Sequence, residues 1–317
     1  MRKFINIKDL KKIGGGNCGS VFKIDDNLLV KVLKKETPYE KIENEFNNFK
    51  NAYKAGLNTS NVYEIVDTEE GTGFTFDYLK GETIINHITK KPYKFIHFLK
   101  LYAKTIKEMH NVKVKKEDFK SAKEFYSNTQ DESDTNEILK KLYILLEWIP
   151  ERNSFIHGDC NKNNFLFTEK EGFVIDLAEA YYGNPLFDLL AIRFMMIEEI
   201  DIKFLFKDKY KDDKNANDVI KHIRDVPDLI RNKTLRKIIW SIFLSTYLNT
   251  NIFSNKYKKA NLIILTYSKI GFFTLMKFFR KFLDVSLLEE KRKEYTKCIL
   301  DAYEMGRNEL WGNFDFV

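Results

Sequence analysis

Cysteine and proline are scarce in this chain, which has three cysteines and five prolines among its 317 residues. The cysteines, Cys18, Cys160 and Cys298, are widely spaced and odd in number. That pattern excludes a disulfide framework and a zinc site of closely spaced thiolates, and it fits a reducing cytoplasm. The low proline content favours long helices and gives no sign of a disordered tail.

The sequence also lacks a long, uninterrupted apolar run. Its N-terminus, MRKFINIKDLKK, has no hydrophobic segment of the kind found in signal peptides, so none is predicted. The most apolar late stretch, Leu262 to Leu283, is interrupted by Lys269, Lys277, Arg280 and Lys281. These charges argue against a membrane span, and a buried helix is favoured over a basic helix on a membrane surface.

Neither sign of charge dominates the sequence. The formal net charge is +7, from 53 basic and 46 acidic residues, and both signs are interspersed along the chain. A mixed, solvated surface accounts for this pattern, while a nucleic-acid or membrane patch is the alternative. With 44% hydrophobic residues, the chain can build a packed core in one large or two modest domains.

The first 79 residues are rich in short β-prone runs. Four of these runs are predicted strands: Val21–Ile24, Leu28–Leu33, Val62–Val66 and Gly73–Tyr78. Within this set, apolar residues recur at helical spacing from Tyr39 to Ala55, and Gly56 is a natural stop for a helix. The pattern predicts a small antiparallel sheet that carries one helix.

After Gly81 the pattern becomes mainly helical. Long helices are predicted over Tyr93–Val112 and Ile138–Trp148, because apolar residues recur there every three or four positions. Nearly everything beyond Asn184 has the same spacing. The C-terminal part is therefore predicted to be a mostly helical lobe.

One β-hairpin interrupts this helical part. Its predicted strands are Phe165–Phe167 and Phe173–Ile175, joined by a short turn that ends in glycine. The predicted fold class is therefore α+β and bilobal. A small lobe of antiparallel sheet with one helix spans residues 1–80, and a larger, mainly helical lobe spans residues 81–317.

A glycine run lies near the N-terminus. Gly14, Gly16 and Gly19, followed by Val21, fit the pattern G-x-G-x-x-G-x-V. Glycines let the backbone turn sharply and approach phosphate oxygens, although a flexible turn between strands is the alternative. Strand-prone residues follow the run, which excludes a dinucleotide-binding fingerprint, and the lack of a Lys-Ser/Thr pair excludes a Walker loop.

A lysine lies in the middle of the second predicted strand. Lys31 follows Gly19 by twelve positions, and an edge-strand lysine facing water is the ordinary interpretation. A strand that returns beneath the glycine run would instead bring the ammonium to the α- and β-phosphates of ATP. Glu45, on the inward face of the predicted helix, is the candidate ion-pair partner that would hold Lys31 in place.

The strongest chemical signal is the segment His157–Asn164, HGDCNKNN, directly before the hairpin. It supplies Asp159 and, five residues later, Asn164. Phosphoryl transfer needs a carboxylate that orients the acceptor hydroxyl and takes its proton, and an oxygen ligand for the metal on the phosphates. One loop delivers both groups here, with an Asn- and Asp-rich turn as the alternative. His157 is expected to brace the loop by hydrogen bonds.

Two more aspartates follow this segment. Asp176 comes after the second strand of the hairpin, and a carboxylate on such a rigid support suits magnesium. The hairpin is expected to hold Asn164 and Asp176 near each other. Asp188 opens a very apolar helix, where an acidic residue is favoured by the helix dipole alone.

Together these motifs resemble the aminoglycoside phosphotransferase and choline-kinase-like branch of the protein-kinase-like fold. The stretches FTFDYLKGETI and YYGNPLFDLL are also similar to the hinge and the post-metal helix of that branch. The resemblance covers roughly residues 13 to 190. Beyond residue 200 the chain matches the family only in being helical.

The resemblance implies a role for each matching position and implies ATP and Mg²⁺ as cofactors. Asp159 would be the catalytic base, Asn164 and Asp176 the magnesium ligands, and Asp188 a structural anchor for the catalytic loop. The implied nucleotide-binding set comprises Gly14, Gly16, Gly19, Lys31, Glu45 and, at the adenine hinge, Asp77, Tyr78 and Leu79.

Departures from protein kinases favour a small-molecule acceptor. HGD at His157–Asp159 stands in place of HRD, and DLA at Asp176–Ala178 stands in place of DFG. Only twelve positions separate Asp176 from Asp188, without an A-P-E string, so little room remains for a peptide-binding activation segment. The glycine run, in contrast, resembles protein kinases more than many small-molecule members.

The predicted function is transfer of the γ-phosphate of Mg-ATP to a hydroxyl of a small molecule. A protein kinase-like enzyme and a non-catalytic ATP-binding protein are the alternatives, although every catalytic position is filled. The acceptor is not readable, because no motif stands out after residue 190. The expected protein is cytoplasmic, a monomer or weak dimer, without nucleic-acid or membrane partners.

Overall fold

The computed structural model describes residues 2–16, 19–128, 137–198, 232–279 and 285–317. Contacts divide the chain into two compact units, Met1–Lys120 with Asn153–Tyr182 and Ser121–Arg152 with Gly183–Val317. Strands dominate the N-terminal part and helices the C-terminal part, so the predicted α+β class is confirmed. The predicted domain boundary at residue 80 stays a prediction.

A six-stranded sheet is the frame of the first unit. Its strands are β1 (Lys3–Phe4), β2 (Lys11–Gly16), β3 (Gly19–Lys23), β4 (Leu28–Leu33), β5 (Val62–Asp67) and β6 (Thr72–Asp77). Their spatial order is β1-β5-β6-β4-β3-β2, and all neighbours are antiparallel except the parallel pair β1 and β5. All four predicted strands are present. Buried apolar side chains of these strands form a cluster with Ile7, which lies between β1 and β2; the strand residues are Phe22, Val30, Val32 and Val66.

Helix α1 (Tyr39–Lys54) packs against this sheet, as the spacing of its apolar residues predicts. The ring of Phe49 lies 6.0 Å from the ring of Phe74 in β6. The helix begins after Pro38 and stops before Gly56, whose φ of +91° is left-handed and disfavours any residue with a Cβ. Its buried positions recur every three or four residues: Ile42, Glu45, Asn48, Phe49 and Ala52.

The glycine run differs from the loop that its composition indicates. Gly14, Gly15 and Gly16 continue strand β2 and pair with residues 19–21 of β3. Glycine has a weak intrinsic preference for strands, so sequence pattern alone favours a loop. Ladder hydrogen bonds to β3 hold the extended backbone here. Asn17 and Cys18, at the tip of the run, lie outside the described residues.

The predicted hairpin is present in the first unit. Strands β10 (Phe165–Phe167) and β11 (Gly172–Val174) are antiparallel, and β7 (Glu82–Thr83) pairs with β10 on its other edge. The other elements are helices α2 (Ile84–Lys90) and α3 (Phe95–Asn111) and strand β9 (Ser154–Ile156). Strands β8 (Lys120–Ser121) and β12 (Tyr181–Gly183) each span a point at which the chain passes from one unit to the other. Helix α2 and strand β7 are too short to give a periodic signal.

Side chains after α1 hold the outer strand of this hairpin. The Thr59 hydroxyl donates a hydrogen bond of 2.6 Å to the carbonyl of Val174, and Asn58 Nδ2 donates one of 2.9 Å to the carbonyl of Gly172. Helix α3 covers the hairpin from another side, since the ring of Tyr102 lies 5.2 Å from that of Phe165. The hairpin is thereby a rigid support for the residues at its ends.

The second unit is helical around an aromatic core. Its described helices are α4 (Ala122–Asn128), α5 (Glu137–Glu147), α6 (Leu186–Arg193), α7 (Lys233–Leu248), α8 (Asn255–Phe279) and α9 (Val285–Leu310), with a kink in α9 at Gly306. The Tyr267 hydroxyl donates to the carbonyl of Leu145 at 2.6 Å and accepts from Trp311 Nε1 at 3.0 Å. These bonds tie α5, α8 and the chain end together.

Residues 262–279 of the apolar stretch that begins at Leu262 lie in α8. Ile263, Ile264 and Tyr267 are buried there, as expected for a core helix, while Arg280 and Lys281 lie outside the described residues. No helix in the described ranges combines the length and apolar content that a membrane span requires. Cys160 and Cys298 form no disulfide in the described part of the chain.

Candidate active site

Lys31 lies on a central strand of the sheet. Strand β4 runs between β3 and β6, and its register places Lys31 opposite Val21, the last residue of the glycine pattern. The side chain is 13% exposed, and its Nζ donates to Glu45 Oε1 at 2.6 Å and to Asp176 Oδ1 at 3.0 Å. The structure therefore brings together three of the residues singled out from the sequence, and the interpretation of Lys31 as an edge residue is wrong.

The electrostatics of this cluster favour a charged lysine. Burial lowers the pKa of Lys31, but the carboxylates of Glu45 and Asp176 together outweigh it and raise the pKa above its usual value. Burial also raises the pKa of Glu45, with Asp176 adding to the rise and Lys31 opposing it. One ammonium thus contacts two carboxylates. Such an arrangement favours the binding of a further cation.

The loop His157–Asn164 is braced through its buried histidine, as expected. His157 Nδ1 accepts a 3.2 Å hydrogen bond from the backbone N–H of Asp159. The other ring nitrogen, Nε2, lies 3.0 Å from the carbonyl of Ile175, so it carries the proton and donates. The ring thereby links the loop to the residue directly before Asp176.

The side chain of Asp159 is exposed, and two side-chain amides donate hydrogen bonds to one of its carboxylate oxygens. Its Oδ2 accepts hydrogen bonds of 2.9 Å from the Nδ2 atoms of Asn161 and Asn164. Asn164 Nδ2 also donates to the carbonyl of Asp159 at 2.9 Å. Because these acceptors fix the nitrogen of Asn164, its Oδ1 is the atom that can bind a cation. The carboxylate of Asp159 is oriented without being buried.

The hairpin places Asp176 beside this loop. Phe165 pairs with Val174, and the Ile175 N–H donates to the carbonyl of Asn164 at 3.0 Å. Asp176 has a φ of +59°, a left-handed conformation that aspartate and asparagine tolerate better than other L-residues. The expected proximity of Asn164 and Asp176 along the two strands is present.

These donors fit magnesium carried on phosphates. Asn164 and Asp176 offer hard oxygen atoms, which Mg²⁺ prefers, on a rigid hairpin. No group of three or more His, Cys, Asp or Glu residues in the described ranges forms a metal site by itself. Mg²⁺ commonly takes one or two protein ligands and completes its shell with phosphate oxygens and water, so the donor set suits a metal–nucleotide complex.

Two of the predicted hinge residues donate backbone hydrogen bonds to other parts of the protein. The Asp77 N–H donates to the carbonyl of Asn61 at 3.0 Å, and the Tyr78 N–H donates to the carbonyl of Asn27 at 2.7 Å. Those two amides are therefore engaged by the protein. The role of Asp77, Tyr78 and Leu79 in nucleotide binding stays a prediction, as does the anchoring role of Asp188, which is buried in α6 of the second unit.

Two residues that shape the site were not singled out from the sequence. Asn48 Nδ2 donates a buried 2.8 Å hydrogen bond to the carbonyl of Leu177, directly after Asp176. Gly158 has a φ of +78° inside the loop before Asp159. The signals were weak: Asn48 lies one turn after Glu45 on the inward face, and a single glycine in a polar loop is common.

We expect Gly158→Ala to destabilise the protein strongly. A Cβ on Gly158 would lie 2.1 Å from the carbonyl oxygen of Glu179 and 2.7 Å from the ring of Tyr181. The left-handed backbone costs an L-residue about 1–2 kcal/mol. Overpacking adds about 1–3 kcal/mol. Urea unfolding should therefore show a loss of about 2–5 kcal/mol in the free energy of unfolding.

Gly56→Ala is the matched control for this variant. Its φ of +91° is also left-handed, but a Cβ there would meet no atom within 4 Å. Only the backbone cost of about 1–2 kcal/mol applies to it. Equal losses for the two variants would show that the contact with Glu179 relaxes at no cost, against the tight packing inferred for the loop.

Comparison with known proteins gives a family and several solved structures. The chain matches the model of the phosphotransferase enzyme family (APH) over residues 9–205. No curated protein matches it. It is similar to a choline/ethanolamine kinase family protein from Mesorhizobium loti, with 13% identity, a TM-score of 0.49, and coverage of 95% of this chain and 89% of that one.

Two aminoglycoside phosphotransferase structures are also similar to this chain. The ADP-bound APH(2'')-Ib has 15% identity and a TM-score of 0.49, with coverage of 96% of this chain and 94% of that one. The ternary complex of APH(2'')-IIa with streptomycin and ATP has 16% identity and a TM-score of 0.47, with coverage of 92% and 91%.

The family match covers well over half of the chain. Residues 9–205 contain the glycine run, Lys31 and Glu45, the loop His157–Asn164, and Asp176. The resemblance inferred from these motifs is therefore confirmed. This chain belongs to the phosphotransferase enzyme family.

Proposed function

We propose that this protein transfers the γ-phosphate of Mg-ATP to a hydroxyl of a small molecule. The observation that carries the proposal is the ion-pair cluster of Lys31, Glu45 and Asp176, joined through the hairpin to Asp159 and Asn164. This cluster combines a cation for phosphates, oxygen donors for a metal and an exposed carboxylate for a proton. Those are the three requirements of phosphoryl transfer.

Each residue has a distinct task in this mechanism. Lys31, aligned by Glu45, binds the phosphate oxygens, and Asn164 and Asp176 hold the metal. Mg²⁺, when bound, supplies positive charge against the phosphates. Asp159 orients the acceptor hydroxyl and accepts its proton as the hydroxyl oxygen forms a bond to the γ-phosphorus. The bond from that phosphorus to the leaving oxygen breaks, and ADP departs.

The chain between Asp176 and α6 supports a small acceptor. Twelve positions separate Asp176 from Asp188, and strand β12 and the start of α6 occupy half of them. A segment that forms a strand and the start of a helix over so short a distance has little length left to bind an extended peptide.

We further propose a cytoplasmic protein that acts as a monomer or weak dimer.

The first test is nucleotide binding. Titration calorimetry with a non-hydrolysable ATP analogue and Mg²⁺ should show binding by the wild-type protein. Lys31→Met should weaken that binding about 10-fold or more, because a charge-assisted contact to phosphate contributes about 1.5–3 kcal/mol. Lys11→Met, which removes an exposed lysine from strand β2 at the edge of the same sheet, should leave the affinity unchanged. Absence of binding at millimolar nucleotide would rule out the proposed function.

The acceptor class is tested by measuring ATP consumption. A panel of hydroxyl-bearing metabolites, amino sugars and choline-like alcohols should contain at least one compound that stimulates it, and peptides should be poor acceptors. Peptide phosphorylation as fast as turnover of the best small molecule would contradict the small-molecule assignment while leaving phosphoryl transfer itself in place.

A further inference from the structure

The backbone of Asp176 is held in an unusual conformation by its neighbours. Its φ of +59° is one that L-residues rarely adopt. On the N-terminal side, the Ile175 N–H donates to the carbonyl of Asn164 at 3.0 Å, and the Ile175 carbonyl accepts from His157 Nε2 at 3.0 Å. Both bonds join Ile175 to the loop His157–Asn164, so they fix the residue before Asp176.

The residue after Asp176 is fixed by helix α1. Asn48 Nδ2 donates a 2.8 Å hydrogen bond to the carbonyl of Leu177. Asn48 is 5% exposed and Leu177 is fully buried, so water cannot readily replace this bond. With both flanking residues bonded, the orientation of the intervening carboxylate is set by the backbone.

The same helix also controls the side chain of Asp176. Glu45, one turn before Asn48, binds Lys31 at 2.6 Å, and Lys31 binds Asp176 Oδ1 at 3.0 Å. Residues three apart on a helix share a face, so one turn of α1 holds Asp176 through two separate connections. One connection acts on the carboxylate and the other on the backbone.

We propose that Asn48 is a positioning residue that sets the orientation of Asp176 for metal binding. This inference rests on the proposed function, since it assumes that Asp176 binds the metal. The amide of Asn48 acts through the carbonyl of Leu177 and touches neither metal nor nucleotide. Residues that orient metal ligands commonly change metal affinity about 10- to 100-fold when they are replaced.

A purely structural hydrogen bond is the alternative role, and Thr59 provides its control. The Thr59 hydroxyl, which is 4% exposed, donates to the carbonyl of Val174 at 2.6 Å. Both bonds join a buried side chain to a backbone carbonyl within two residues of Asp176. Of these two bonds, the one from Asn48 acts on a residue directly adjacent to Asp176 and the one from Thr59 does not. Thr59→Val therefore removes comparable stabilisation without freeing Leu177.

The experiment measures Mn²⁺ binding in the presence of ADP by electron paramagnetic resonance. Asn48→Leu has a side chain of similar size without the donor, and it should bind Mn²⁺ about 10-fold more weakly than wild type. Thr59→Val should lose a similar amount of thermal stability and keep the wild-type Mn²⁺ affinity. In the metal-free protein, hydrogen exchange should accelerate around Leu177 in Asn48→Leu and not in Thr59→Val.

Three outcomes decide the inference. Wild-type Mn²⁺ affinity in Asn48→Leu, or equal weakening in both variants, overturns the positioning role alone. Failure of the wild-type protein to bind Mn²⁺–ADP overturns the proposed function as well. If Asn48→Leu does not fold, the side-chain amide protons of Asn48 in the wild-type NMR spectrum decide: slow exchange supports the bond to Leu177, and exchange as fast as in an exposed asparagine overturns it.

Discussion

Asp159→Asn is expected to lower the rate of phosphoryl transfer by a factor of about 10² to 10⁴, the range expected for loss of a general base. Asparagine has nearly the shape of aspartate but cannot take the proton of the acceptor hydroxyl. Nucleotide affinity should change little, because the proposed metal ligands are Asn164 and Asp176. The loss should therefore fall on the maximal rate.

The fold should survive this substitution. Asp159 is exposed, and the amides of Asn161 and Asn164 donate to its Oδ2 at 2.9 Å. An asparagine at this position can present its carbonyl oxygen to the same two donors. Since both hydrogen bonds can persist, the loop keeps its conformation and the effect on rate reports the missing base.

Steady-state kinetics measure the rate of phosphoryl transfer, and calorimetry on the same preparation measures the nucleotide affinity. Glu171→Gln is the matched control, since it removes one exposed carboxylate in the turn of the hairpin and should leave rate and affinity unchanged. Near-wild-type turnover of Asp159→Asn with its true acceptor would show that Asp159 is not the base and would remove the proposed mechanism.

Asp176→Asn is expected to lower the rate by about 10² to 10³ at limiting Mg²⁺, as for loss of one preorganised electrostatic contact. The substitution removes the anionic ligand from the proposed metal site and leaves a neutral amide oxygen. It also removes one of the two carboxylates that contact Lys31. Unlike Asp159→Asn, this variant should recover part of its rate when the Mg²⁺ concentration is raised.

The backbone at residue 176 makes asparagine the informative substitution. Asparagine tolerates the left-handed φ of +59°, so Asp176→Asn changes the ligand and keeps the conformation. Asp176→Ala removes the ligand and adds backbone strain of about 1–2 kcal/mol, visible in urea unfolding. Magnesium titrations of activity for both variants separate the two effects. If Asp176→Asn kept the wild-type magnesium requirement, Asp176 would not be a metal ligand.

Local sequence patterns predicted most of the elements that carry the site. Helix α1 follows from apolar residues at every third or fourth position, and the hairpin follows from two short β-prone runs around a tight turn. These patterns are local, because burial of one helix face or of alternate strand positions is recorded in neighbouring residues. Proximity of Asn164 and Asp176 then followed from hairpin geometry alone.

Contacts between residues far apart in the sequence were harder to predict. Lys31 and Asp176 are 145 positions apart, and the sequence proposed a contact of Lys31 with Glu45 but not with Asp176. The extension of the glycine run as a strand was missed as well, because pairing with β3 overrides the weak strand preference of glycine.

The sequence by itself determined the order and chemical types of the candidate groups, since phosphoryl transfer restricts which residues can serve and the motif spacing is written along the chain. Tertiary structure alone decided how those groups are held. The left-handed backbone of Asp176, the bond from Asn48 to Leu177 and the close approach at Gly158 depend on atoms brought together from distant segments. A hydrogen bond or a steric limit of that kind leaves no periodicity in the sequence, because only folding makes the two partners neighbours.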